Sequence, residues 1–167
     1  MSAALSKSAL LERIVASLEA DLALLLQAAK TAHAAATHEE NIPDNKYATL
    51  GLEASYLAQA QANRAQQIRV ALEAFRRLEP VSFAAGAQIR LGALVTLEDE
   101  DGGRRMLLLG PEAGGLKVRV GTAEVMVITP GSPLGRALLG AVAGDLVTCG
   151  AESAGAAERE FEVLEVA

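Results

Sequence analysis

His38-Glu39-Glu40-Asn41-Ile42-Pro43-Asp44-Asn45-Lys46 is the stretch whose reading decides the fold. It separates two long runs that carry helical spacing and almost no turn residues. Pro43 is its one strong helix breaker, and Asn41, Asp44 and Asn45 around it favour caps and turns. The spacing therefore predicts two antiparallel helices of about thirty residues each, roughly 45 Å long at 1.5 Å per residue. Nothing else in the first half of the chain covers such a length. The tip is expected to project into solvent, with Glu39, Glu40 and Asp44 close together on it.

Working outward, the first run begins near Ser6 or Ser8, either of which suits a helix N-cap. Ile14, Leu18, Leu22, Leu25, Ala29, Ala32 and Ala36 follow at steps of four and three, one apolar stripe on a helix. The stripe thins from Leu and Ile to Ala toward the tip, where small residues let two helices approach. The second run carries Tyr47, Leu50, Ala54, Leu57, Gln61, Ala65, Ile68, Leu72 and Phe75 at the same spacing. Two facing stripes with a short connection predict an antiparallel coiled coil. Leu10, Leu11, Leu24 and Leu26 lie off the stripe and suggest that the base of the hairpin packs against something more.

Beyond Leu78-Glu79-Pro80 the period changes. Residues 80–89 are rich in Pro, Gly and Ala and read as a linker between a hairpin at 1–79 and a second unit at 90–167. Strands are expected at 91–97, 105–110, 116–120, 125–129, 146–149 and 160–166, with an acidic hairpin turn at 98–103. Between them stands Ser132-Pro133-Leu134-Gly135-Arg136-Ala137-Leu138-Leu139-Gly140. Ser132 can cap a helix, Pro133 fits its first position and Gly140 can end it. The second unit thus reads as an antiparallel sheet with one short helix on a face, and the fold class is α+β.

The formal charge of −6 is unevenly placed: residues 1–80 hold eight Lys and Arg against nine Asp and Glu, and residues 81–167 hold seven against twelve. An acidic second half argues against direct binding to a nucleic-acid backbone, so no independent DNA binding is expected. A basic protein surface fits it better. Cys149 is the single cysteine, so no intrachain disulfide can form, which suits a reducing cytosol. Glu12, Arg13, Glu19 and Asp21 interrupt the apolar positions of residues 9–26, so neither a signal peptide nor a membrane span is expected.

In the order of these elements and in several of their residues, the chain resembles the Gre family of bacterial transcript cleavage factors. The match is strongest in SPLGRALLG at Ser132 to Gly140, followed by Gly144-Asp145. VTLEDEDG at Val95 to Gly102 and the terminal EFEVLEV extend it over most of the second half. The resemblance implies an FKBP-like fold for 90–167 and a cytoplasmic RNA polymerase accessory factor. In the family that domain docks near the rim of the secondary channel and the coiled coil reaches toward the active centre. Tip carboxylates there help to hold the second catalytic magnesium, and the polymerase cuts backtracked RNA. The usual tip reads close to GDLSENAEY; aligned on Tyr47, this chain has EENIPDNKY, with Glu40 on the first acid and Pro43 on the second.

By that resemblance Glu39, Glu40 and Asp44 would act inside the polymerase, in indirect contact with nascent RNA. Ser132, Pro133, Leu134, Gly135 and Arg136 would contribute to docking. The protein would be no enzyme itself and would bind no cofactor alone, with Mg²⁺ shared only with polymerase. The expected function is stimulation of RNA cleavage; the alternative is a channel regulator that inhibits or modulates without cleavage. The residues add limits. His33 and His38 are five apart, with no Cys or third His beside them, so no zinc site is expected. Ser132 has no His and acid arrangement, which leaves capping as its role. A prolyl isomerase would need an aromatic pocket, and residues 81–167 hold only Phe83 and Phe161. A structural coiled-coil adaptor would explain the hairpin but not the match at 132–145.

Overall fold

The computed structural model describes residues 5–39, 47–150 and 157–167, and the side chains of these except at 36–39 and 47–54. Two helices come first, α1 (Lys7–Glu39) and α2 (Tyr47–Arg77). Ser6 opens α1: its Oγ accepts from the Ala9 amide at 3.3 Å, satisfying one of the free N–H groups of a helix start. Arg76 and Arg77 occupy the last turn of α2, where cations complement the carbonyl end of the helix dipole.

Strands β1 (Leu94–Asp99), β2 (Arg104–Leu109), β3 (Lys117–Val120) and β4 (Ala123–Ile128) follow, then helix α3 (Pro133–Leu138) and strands β5 (Leu146–Cys149) and β6 (Arg159–Val166). They form one sheet in the order β3-β4-β2-β1-β6-β5. The turn between β1 and β2 is built on Asp99, whose carboxylate accepts from the Gly103 amide at 2.7 Å and the Asp101 amide at 3.2 Å. Gly102 sits there at φ 78°, a conformation glycine adopts without steric cost.

The expectation of an antiparallel sheet needs one correction: β2 and β4 pair in parallel, with Leu107 opposite Met126, while the other four pairings are antiparallel. The cause is the segment from Gly110 to Leu116, which carries the chain past the place beside β2. β3 then folds back on β4, and β4 enters the vacant place running the same way as β2.

Alternation along the strands gives the sheet two apolar faces. On one, Leu94, Leu108, Val118, Val125 and Val127 pack against Leu10, Leu11, Ile14 and Leu18 of α1 and Ile68, Ala71, Leu72 and Phe75 of α2. On the other, Val95, Leu97, Leu107, Leu109, Ile128, Val147, Phe161 and Val163 pack with Ile89 and Leu138. Residues 80–89 contain neither helix nor strand. The base of the hairpin nevertheless shares its core with the sheet. Gly110 shows how close that packing is, since a Cβ there would lie 2.8 Å from the Phe75 ring and 2.9 Å from Val127.

Candidate functional site

Support for the hairpin thins along its length. Among the described residues, Leu18 on α1 and Ala65 on α2 are the last buried side chains on the way out. Leu22, Leu25 and Ala29 are half-buried, whereas Leu24 and Leu57 are 71% and 62% exposed. From Leu18 the helix continues for 21 residues to Glu39, roughly 30 Å at 1.5 Å per residue. Two helices alone offer each other one narrow contact strip, so Leu57 stays exposed despite its place in the expected stripe. Leu10 and Leu11 meet the sheet as expected of off-stripe residues; Leu24 and Leu26 do not.

Of the three tip carboxylates, Glu39 ends α1 as backbone; its side chain, and Glu40 and Asp44 altogether, lie outside the described residues. His38 falls there too as a side chain. Among the described residues no group of three or more His, Cys, Asp and Glu is placed to hold a metal ion.

The segment at 132–136 is fully placed. Ser132 is the N-cap of α3, and its hydroxyl both accepts from the Gly135 amide at 3.0 Å and donates to the Thr129 carbonyl at 2.7 Å. Pro133 takes the first helical position, where a missing N–H costs nothing. A Cβ on Gly135 would lie 1.9 Å from the Thr129 oxygen, so only glycine fits there. Arg136 reaches back to the Gly131 carbonyl at 2.6 Å. Leu138 is fully buried. Much of this motif is therefore committed to holding α3 against the sheet. What it offers a partner is Arg136, the half-exposed flanks of Pro133 and Leu134, and Leu139, which is 44% exposed.

Sequence reasoning did not anticipate the open part of the sheet beside the hairpin. Glu98 stands directly opposite Glu162 across β1 and β6, and Leu146 on β5 lies beside Glu162 with 64% of its surface exposed. Like charges in register cost sheet stability. Arg104 offsets part of this through an ion pair to Glu98 at 2.8 Å. The period-two placement of Glu98, Glu160 and Glu162 carried the signal, but the strand pairing had to be known to read it. Among the described residues no helix is long and apolar enough to cross a membrane.

No family model matches the chain. It is similar to two proteins called transcription elongation factor GreA. That of Alkalilimnicola ehrlichii is 32% identical over 105 residues, covering 62% of this chain and 60% of the relative. That of Xanthomonas campestris pv. campestris is 35% identical over 106 residues, 62% and 61% of the two chains. The chain thus spans about three fifths of the length of these relatives. Among solved structures, the GreA factor homolog 1 protein of Thermus thermophilus is 22% identical with a TM-score of 0.36, covering 94% of each chain. A GreA/GreB factor from Nitrosomonas europaea is 18% identical with a TM-score of 0.33, covering 69% of this chain and 93% of its own. At such scores the structural likeness carries no weight beside the sequence. What the sequence comparison establishes is a similarity to GreA proteins at 32–35% identity over 105 and 106 residues.

Proposed function

We propose that the protein is a transcription elongation factor that binds RNA polymerase and sends its helical hairpin into the secondary channel. The observation that carries this reading is the 32–35% identity to proteins called transcription elongation factor GreA. A hairpin whose packing thins beyond Leu18 and Ala65 while α1 runs on to Glu39 supports a reaching role. The sheet unit would dock, with Arg136, Pro133, Leu134 and Leu139 as the accessible part of the 132–140 segment and Ser132 and Gly135 holding its shape.

At the tip, Glu39, Glu40 and Asp44 supply the hard oxygen donors that Mg²⁺ favours, in too small a number to retain it without other ligands. A magnesium ion shared with the polymerase would supply charge stabilisation at a phosphoryl oxygen. On this reading cleavage chemistry belongs to the polymerase, and the protein itself is no enzyme and carries no cofactor of its own. A second reading has its own support: Pro43 stands where the Gre tip carries its second acid, so the tip would obstruct or modulate the channel without promoting cleavage.

The deciding experiment adds the protein to backtracked elongation complexes and follows both RNA shortening and nucleotide addition. Cleavage that depends on the tip acids supports the first reading, and inhibition without cleavage supports the second. Failure to bind core polymerase at all would reject both.

A further inference from the structure

Lys7, the first residue of α1, sits where several segments meet. Its Nζ donates to the Val81 carbonyl at 2.6 Å, just beyond the end of α2, and to the main-chain oxygen of Ala167 at 2.7 Å, at the end of β6. The same ammonium lies 4.6 Å from the centre of the Phe83 ring. Phe83 packs into the core on the α3 face of the sheet, and the Arg90 guanidinium lies 5.0 Å from the same ring. Ala167 is itself fixed, because its amide and its main-chain oxygen both pair with Leu94 of β1 at 2.9 Å.

We propose that Lys7 is a positioning residue: a single ammonium pins both ends of the helical hairpin to the last strand of the sheet and so sets the direction in which the hairpin points. Hydrogen bonds from an ion to a carbonyl are strong and directional, and the ring face adds a third attraction. The apolar packing beneath the hairpin is strong but has little directional preference, so it resists separation better than tilting. The lever makes small tilts matter. Residue 28 lies roughly 30 Å along α1 from Lys7, so a tilt of about 10° moves it by about 5 Å.

The arrangement opposes the charge it uses. Burial first, and Arg90 second, hold the Lys7 pKa below the ordinary lysine value. A charge kept against such opposition contributes less to stability than to a defined geometry, in the way that some buried polar groups specify one arrangement at a cost. Orientation and stability should therefore respond differently when the charge is removed. Only the purpose of the lever rests on the proposed polymerase role; the angle is a property of the protein alone.

The test places spin labels at Ala28→Cys and Thr122→Cys in a Cys149→Ser background and measures their distance distribution in the isolated full chain. Lys7→Met should shift the distribution by several ångströms or broaden it about twofold, in keeping with the lever. Its melting temperature should stay at or above the parent's. Lys7→Arg, which keeps charge and donors, should keep the parent's narrow distribution. A parent-like distribution in Lys7→Met overturns the proposal. Broadening in Lys7→Met and Lys7→Arg alike also overturns it, since the fit of the side chain and not its charge would then set the angle. If Lys7→Met does not fold, Lys7→Gln, with a donor and no charge, is read by the same criteria. Since no polymerase is present, these outcomes stay separate from those of the elongation assay.

Discussion

Gly135→Ala is expected to destabilise the protein, although glycine to alanine within a helix ordinarily helps. The ordinary gain is about 1 kcal/mol, from the lower backbone entropy of alanine in the unfolded chain. Here the new Cβ would lie 1.9 Å from the Thr129 carbonyl oxygen, a backbone atom that cannot rotate away, and 2.9 Å from the Ser132 hydroxyl. Relief requires α3 to move off the 129–132 turn. That movement breaks the Ser132 cap, worth about 0.5–2 kcal/mol, and adds overpacking of about 1–3 kcal/mol. The balance is a loss of about 0.5–4 kcal/mol, or roughly 1–16 °C in melting temperature for a chain of this size. Thermal melts by circular dichroism measure it, with Gly131→Ala as control. A Cβ at Gly131 meets nothing within 4 Å, so that change should be near neutral. A Gly135→Ala protein melting at or above its parent would refute the reasoning. The double change with Ser132→Ala should cost less than the two single changes together, because both break the same cap.

Leu138→Ala removes a fully buried side chain between α3 and the sheet and should cost about 2–5 kcal/mol in urea unfolding. Residues 81–167 made without the hairpin would expose Leu94, Leu108, Val118, Val125 and Val127, so this piece should self-associate on size exclusion while the full chain does not. Replacing Glu39, Glu40 and Asp44 together by Ala should leave the melting curve within about 1 kcal/mol of the parent, if they are the solvated turn charges that the sequence pattern implies. The same triple change should remove the effect on transcription but not binding to core polymerase. A triple variant with full effect would take these acids out of the mechanism.

The strands, the hairpin and α3 were legible because each is written in short-range signals. Ser132, Pro133 and Gly140 mark α3 by position alone, and the observed helix Pro133–Leu138 lies within them. The register of Leu107, Leu108 and Leu109 could not be read in the same way. Three consecutive leucines name no face, and only the hairpin on one side and α3 on the other show why all three are apolar. The parallel pairing of β2 with β4 was hidden for a related reason: periodicity counts strands but does not order them. The opposed Glu98 and Glu162 stand 64 positions apart, a separation at which local patterns carry no information. Ser132 and Gly135 were visible as residues of interest, yet their role came out more structural than their place in a recognisable motif suggests. Lys7 gave no sequence signal, since a lysine in the first turn of an acidic-poor helix start looks like any solvated one.

The early end of burial along the hairpin, at Leu18 and Ala65, divides the chain by how freely it can be rewritten. Substitutions at the base are felt by the sheet, and those that leave cavities there are removed with the folded state. Substitutions farther out pass almost unseen by the core, provided the two helices still form. Selection can therefore alter the exposed outer positions, residues 30–35 and 55–60, at little risk to the rest of the molecule.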